Sequence, residues 1–248
     1  MSIAGSAKHG SSGGKALSLL DPLIKAIRDG DLLRFRSELA SQGARKVYNL
    51  GGYKEGITAL AYAIDVNRHR VVPELLRHGA DPNVKIKGKP VLIEAMQQWS
   101  ASALSSNIDA YLTVTDLVNA EGTDLNVSYD DLPALAHLPF SRVGAVEMFK
   151  NMIKRGANVH VSVRDALAKQ CDLFSEILAR NLWLYSVHGR AKFRELLDIL
   201  AEQKYQFNQA SIRWFLVTQM PSGARTEKEI EDDVRAAEEH AKRVRQSE

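Results

Sequence analysis

Glycines ahead of a lysine can turn backbone amides toward a phosphate, and HGSSGGKA, residues 9 to 16, comes nearest to that arrangement in this sequence. The cradle also needs a glycine where His9 stands, a serine or threonine where Ala16 stands, and a strand before it. Those departures speak against a nucleotide site. The seven histidines, at 9, 69, 78, 137, 160, 188 and 240, form no His/Cys pair at zinc-ligand spacing, so no metal or other cofactor is expected. No G-x-S-x-G elbow occurs. Cys171, in AKQCDLF, is the sole cysteine and its histidines are distant, so it reads as a packing residue rather than a thiol nucleophile. Asp130-Asp131 could be imagined as paired acids in acid–base work. NRHRVV (67 to 72) and KIKGK (85 to 89) are basic enough to touch phosphates, but they are short and no aromatic stacking pattern accompanies them.

The chain that must position these residues has 248 amino acids, 45% hydrophobic and 25% charged, the balance of a soluble globular protein. No window has the roughly 18 uninterrupted apolar residues of a membrane span, and the first 20 residues lack the apolar centre of a secretory signal. A lone cysteine cannot close an internal disulfide, so a cytoplasmic protein is the reading, with delivery to another cell as an effector left open. The net charge of +3 is unevenly spread. Residues 1 to 89 hold 15 Lys/Arg against 8 Asp/Glu, residues 90 to 141 hold none against 7, and residues 142 to 220 hold 12 against 7. An acidic block between basic ones predicts a polarised surface able to steer a charged partner.

Self-similarity explains the apolar pattern. GITALAYAI begins at Gly56 and GKPVLIEAM at Gly88, 32 residues on, aligning Leu60 with Leu92 and Ala63 with Ala95. The close of the unit, RHGADPN (77 to 83), is echoed by AEGTDLN (120 to 126), KRGANVH (154 to 160) and faintly by EQKYQFN (202 to 208). Ahead of these lie VVPELL, VTDLV, MFKNMI and LLDIL, apolar at helical spacing. Thr58 can cap a helix, Ala63 permits close helix contact, and Gly79 can adopt the left-handed conformation that ends one. One helix pair cannot cover its own apolar face, so neighbours must stack.

These residues resemble the ankyrin repeat, a unit of about 33 residues with a T-P-L-H-x-A start. The resemblance implies an all-α solenoid of about five helix-turn-helix units from Ser18 to Asn208, each ending in a short hairpin finger. GITALAYAI takes the place of a first helix, RVVPELLRHGA of a second and DPNVKIKG of a finger; DPLIKAIRDGD and LLRFRSELASQGA supply the first pair. His78 falls where the family often has a histidine bonding to neighbouring loops. The full T-P-L-H start is absent, and Pro139 should shorten the first helix in LPALAHLP (132 to 139). Ile64 to Gly79 is 15 residues but Met96 to Gly122 is 26, placing an insertion around 100 to 108. Gln170 to Lys204 is 34, which predicts an extra helix around ARNLWLYSVHGRA, 179 to 191.

Both ends differ from the middle. Residues 1 to 16 are Gly/Ser-rich and predicted to be a disordered tail, residues 17 to 220 form the repeat domain, with SIRWFLVTQM (211 to 220) as its last apolar helix, and 221 to 248 are a linker and a charged helix. Thr226 and Glu229 make a capping box there, and Ile230, Val234, Ala237, Ala241 and Val244 form a narrow apolar seam. The seam can dock on the last repeat as a C-terminal capping helix, meet a partner, or stay marginally helical.

The resemblance implies a protein–protein interaction module, not an enzyme, binding another protein as adaptor, effector or inhibitor and monomeric until it does so. Its concave face would use finger residues Tyr48, Tyr53, Lys54, Lys85, Lys87, Tyr129 and Asp130, with Lys25, Arg28, Tyr62, Asp65, Glu94, Gln97 and His137 from first helices. Asp130 and Asp131 then sit at a finger tip, where exposed carboxylates are ordinary. The first finger is long, 13 residues from Gly43 to Gly56, against 9 from Gly79 to Gly88 and from Gly156 to Asp165. The alternatives are nucleic-acid binding through the basic fingers, and an enzymatic site in the 171 to 192 insertion, where Trp183, Tyr185 and His188 also form the second candidate for partner binding.

Overall fold

Several helix starts in this chain are set by short polar side chains. Asp21 accepts from Leu23 N at 2.9 Å to open α1 (Pro22–Asp29), and Asp31 accepts from Arg34 N at 3.0 Å to open α2 (Leu32–Gln42). Thr58 accepts from Ala61 N at 3.2 Å ahead of α3 (Ala59–Asp65), and Asp172 accepts from Ser175 N at 3.1 Å ahead of α8 (Leu173–Arg180). The computed structural model describes residues 21–50, 52–53, 56–102, 107–164, 170–181, 184, 186–208 and 226–246.

A 3-10 turn (His69–Val71) leads into α4 (Val72–Arg77), which ends where Gly79 turns left-handed at φ 81°. Then come α5 (Val91–Ala101), α6 (Asn107–Asn119), a second 3-10 turn (Ala134–His137), α7 (Ala145–Lys154), α8, α9 (Arg190–Glu202) and α10 (Glu227–Gln246). Among the described residues four antiparallel two-stranded hairpins separate the pairs: β1 (Val47–Tyr48) with β2 (Ile57–Thr58), β3 (Lys85–Ile86) with β4 (Lys89–Pro90), β5 (Ser128–Tyr129) with β6 (Leu132–Pro133), and β7 (Ser162–Arg164) with β8 (Gln170–Asp172). The first members stack in one row, α1 on α3, α3 on α5, α5 on the second 3-10 turn and that turn on α8. Among the second members α4 packs on α6 and α7 on α9. One continuous apolar core runs through the rows, from Leu23 and Phe35 past Leu60, Leu92 and Trp99 to Phe149, Phe174 and Leu200.

The echoed unit endings have a physical reason. Asn83 Nδ2 donates to Gly122 O at 2.9 Å while its Oδ1 accepts from Asp124 N at 2.8 Å; Asn126 repeats both bonds on Gly156 O and Asn158 N at 3.2 and 2.7 Å. Asp81, Asp124 and Asn158 each hold the backbone N two residues on, at 2.8 to 2.9 Å, which fixes the loop that aims the next side chain. His160 Nε2 meets Gln203 O at 3.1 Å at the end of the series. The G-x-D/N-x-N/H pattern is therefore a ladder stitching each exit loop to the next. Replacing Asn126 with alanine removes two inter-unit bonds at an exposed site, and a loss of about 1 kcal/mol is expected in the urea midpoint. An unchanged midpoint would show that water replaces the ladder at no cost.

Several expectations need correction. His78 Nδ1 lies 2.8 Å from Glu74 O of its own helix, so it caps α4 instead of joining a neighbouring loop; His160 does the joining. The lengthening around 100 to 108 goes largely into α5 and α6, which have 11 and 13 residues against 7 in α3. The fourth finger does not end at Asp165, because β8 extends to Asp172 before α8 begins. The extra helix expected around 179 to 191 falls partly on residues 182, 183 and 185, outside the described residues; Leu184, between them, lies in a 3-10 turn. The expectations for 1 to 16, 211 to 220 and 221 to 224 lie outside the described residues, as do Trp183 and Tyr185. Pro139 acts as expected, since only a 3-10 turn forms ahead of it.

Helix α10 packs along α9 through buried Ile230, Val234, Ala237 and Ala241. Asp233, its side chain 5% exposed, sits between Arg190 and Arg194 at 3.4 and 2.7 Å, and those guanidinium groups lower its pKa against the desolvation that would raise it. The capping box closes as Thr226 N donates to Glu229 Oε2 at 2.9 Å and Glu229 N to Thr226 Oγ1 at 3.3 Å.

Candidate partner-binding surface

The hairpins put lysines and tyrosines of successive fingers against one another. Strand alternation sends Tyr48 and Ile86 into the core while Lys85 and Lys87 stay exposed. Lys87 Nζ lies 5.2 Å above the Tyr53 ring, and Lys89 Nζ lies 5.2 Å above the Tyr129 ring. Three consecutive fingers are thus joined by two cation–π contacts. Behind them Tyr53 donates to Asp65 Oδ2 and meets Tyr62 edge-on at 6.4 Å. Lys89 also donates to Glu94 Oε2 at 2.9 Å and Gln97 Oε1 at 2.7 Å, tying β4 to the first helix of its own unit.

The tips carry opposite charge. Lys87-Gly88 turns the second finger at φ 51° and 85°, and Asp130-Asp131 turns the third at φ 51° and 61°. Two left-handed residues suit a two-residue hairpin turn, and aspartate tolerates that region better than most side chains. Both aspartates are exposed. Lys25 is exposed on α1, and Arg28, beside it, is paired with Asp29 at 2.9 Å.

Two of the proposed contact residues are placed elsewhere. Tyr48 is 4% exposed and Tyr62 is 8% exposed, because the first hairpin folds its aromatic side back onto α1 and α3. Burial pushes the Tyr48 phenol up to about 12. Lys54 lies outside the described residues. Glu94, Gln97 and His137 are half-buried, the first two held by Lys89. Lys89 itself was missed by sequence reasoning, though it stands in the quoted KIKGK; its pairing across fingers is a tertiary fact.

His137 and His69 are both held below the usual imidazole value of 6.5, in each case chiefly by burial. Arg180 reinforces the effect at His137 while backbone bonds to Tyr129 and Leu132 and the charge of Asp130 oppose it; Asp109 opposes it at His69. The unfolded chain therefore takes up these protons first. Stability is complete above pH about 6.5 and falls as pH drops through 6.5 toward the folded values. Urea midpoints should decrease from pH 7.5 to 5.5, and less so in a His69→Gln/His137→Gln variant. Equal decreases in both proteins would assign the pH dependence to other groups.

Residues 55–87 match the family model of the ankyrin repeat. The chain contains an ankyrin repeat at these residues. The match spans one complete unit, from the end of the first finger through α3 and α4 to the second finger. A crystal structure of an ankyrin repeat domain from Acinetobacter baumannii AYE superposes with a TM-score of 0.58, covering 87% of this chain and 97% of that one at 17% identity. That likeness shows the fold. No curated protein matches the chain. Ankyrin repeats serve generally as protein–protein interaction modules. No described helix is long and apolar enough to cross a membrane, and no group of His, Cys, Asp and Glu among the described residues is placed to hold a metal ion.

Proposed function

We propose that this chain is a stack of five ankyrin units closed by α10, and that it binds a partner protein across the surface made by its fingers and first helices. The observation that carries the reading is the strip in which Tyr53, Lys87, Lys89 and Tyr129 link three fingers, with lysines exposed at one tip and aspartates at the next. Amphipathic rings and cations fixed by mutual contact lose little entropy when covered, which is what binding hot spots require. Exposed Lys25, Lys85 and Lys87 form the basic pole, and Asp130 with Asp131 the acidic one. The partner presents the complementary polarity, acidic toward the second finger and basic toward the third. An adaptor, an effector delivered to another cell and an inhibitor of a second protein all use such a surface in the same way.

The test is capture from the native host with the full chain as bait, beside a Tyr53→Ala/Tyr129→Ala variant, and mass spectrometry of what each retains. A protein held by the wild type and lost by the variant supports the reading. Retention of nucleic acid through moderate salt with no protein would replace it with the basic fingers acting on phosphates.

A further inference from the structure

A groove of about 1260 Å³, sharing no residue with the tyrosine–lysine strip, opens between the exit loops of the first three helix pairs and helices α4 and α6. Pro73, Leu76, Pro82 and Val84 give it an apolar wall, and Val47, 56% exposed, stands on its rim. Its charges are separated along the stack. Arg45 comes from the first unit, Arg77 and the turn-forming Asp81 from the second, and Asp116 and Glu121, with no cation of their own unit beside them, from the third.

Asp116 is the deciding group. It is half-buried on α6 and no hydrogen bond or ion pair joins it to any described residue; burial raises its pKa, opposed only by the charge of Arg77. Residues 90 to 141 contain no lysine or arginine, so α6 and its exit loop offer it nothing. The cations on either side are engaged: Arg77 approaches Glu74 at 3.9 Å, and Arg155 of α7 donates to Val118 O and Asn119 O at 2.8 and 3.3 Å. A carboxylate drawn partly out of water without a donor destabilises the free protein, and a cation on an aliphatic stem is the group that relieves it beside an apolar wall.

The geometry points to a second docking site in this groove, taking an extended segment of a partner protein that carries an arginine or lysine. The cationic head pairs with Asp116, with Glu121 beside it. The stem and a neighbouring apolar side chain lie along Leu76, Pro73 and Val84, and a carboxylate of the segment faces Arg45. Docking here is independent of the finger surface, so a variant that loses one leaves the other intact.

Butylguanidinium, which reproduces the arginine side chain, is the probe. Titrated into the ¹⁵N-labelled full chain at constant ionic strength, it should shift the amides of Leu76, Arg77, Asp116, Ala120 and Glu121 along saturating curves. Asp116→Asn keeps the shape of the side chain and should bind the probe about two- to fivefold more weakly, the effect of one partly exposed ion pair. Glu121→Gln should weaken it less, and Lys85→Glu/Lys87→Glu should leave it unchanged. The proposal is overturned by shifts that do not saturate, by equal shifts from butyrate at the same amides, or by curves unchanged in Asp116→Asn. It is also overturned if those amides shift with protein concentration alone, which would give the groove to a second copy of the chain.

Discussion

Reversing Lys85 and Lys87 to glutamate is expected to slow association with the captured partner about tenfold at low salt, while dissociation changes much less. Both side chains are exposed on a finger whose core contact is Ile86, so the stack should stay folded and lose no more than the Lys87–Tyr53 contact, about 0.5–1 kcal/mol. Asp130→Lys/Asp131→Lys should lower the same rate through the opposite pole. Raising salt from 0.01 to 0.15 M shortens the Debye length from about 30 to about 8 Å, so the wild type should slow toward the variants while close pairs survive. Stopped-flow or surface-resonance kinetics at the two salt concentrations would check this. Wild-type rates in both double variants at low salt would remove the fingers from the binding surface.

Trp99→Ala should cost about 3–5 kcal/mol, the largest stability loss expected of a single replacement here. Trp99 is fully buried on α5 and tilts against Tyr111 of α6 at 5.2 Å, joining the two helices that are longer than their counterparts in other units. In a stack each unit leans only on its neighbours, so the loss should appear first as protease sensitivity around α5 and α6. Trp99→Phe should be far milder. The indole Nε1 is buried without an acceptor among the described residues, and phenylalanine removes that orphan donor while keeping most of the ring. A cost for Trp99→Phe equal to that for alanine would show that the indole volume, not its polarity, is what matters there.

Much of the architecture was legible because each unit repeats the same local problem. Thr58 had to cap, Gly79 had to turn left-handed, and the apolar residues between them had only a neighbour's helix to cover them. The recurring G-x-D/N-x-N/H ending could be seen as a pattern, but that Asn83 and Asn126 donate to the following exit loop is a fact of stacking. Charge blocks could likewise be counted, and Lys87 and Asp130 placed on fingers by the resemblance to the ankyrin repeat. Sequence alone fixed those local choices because capping, turns and periodicity act over a few neighbours. Which tyrosines face the core, that Lys89 staples two fingers, and that Asp116 stands over a groove without a hydrogen bond to any described residue were decided only when residues 30 to 40 positions apart met. The physical reason is that burial and pairing belong to the contact between units, and no single unit's sequence contains both sides of it.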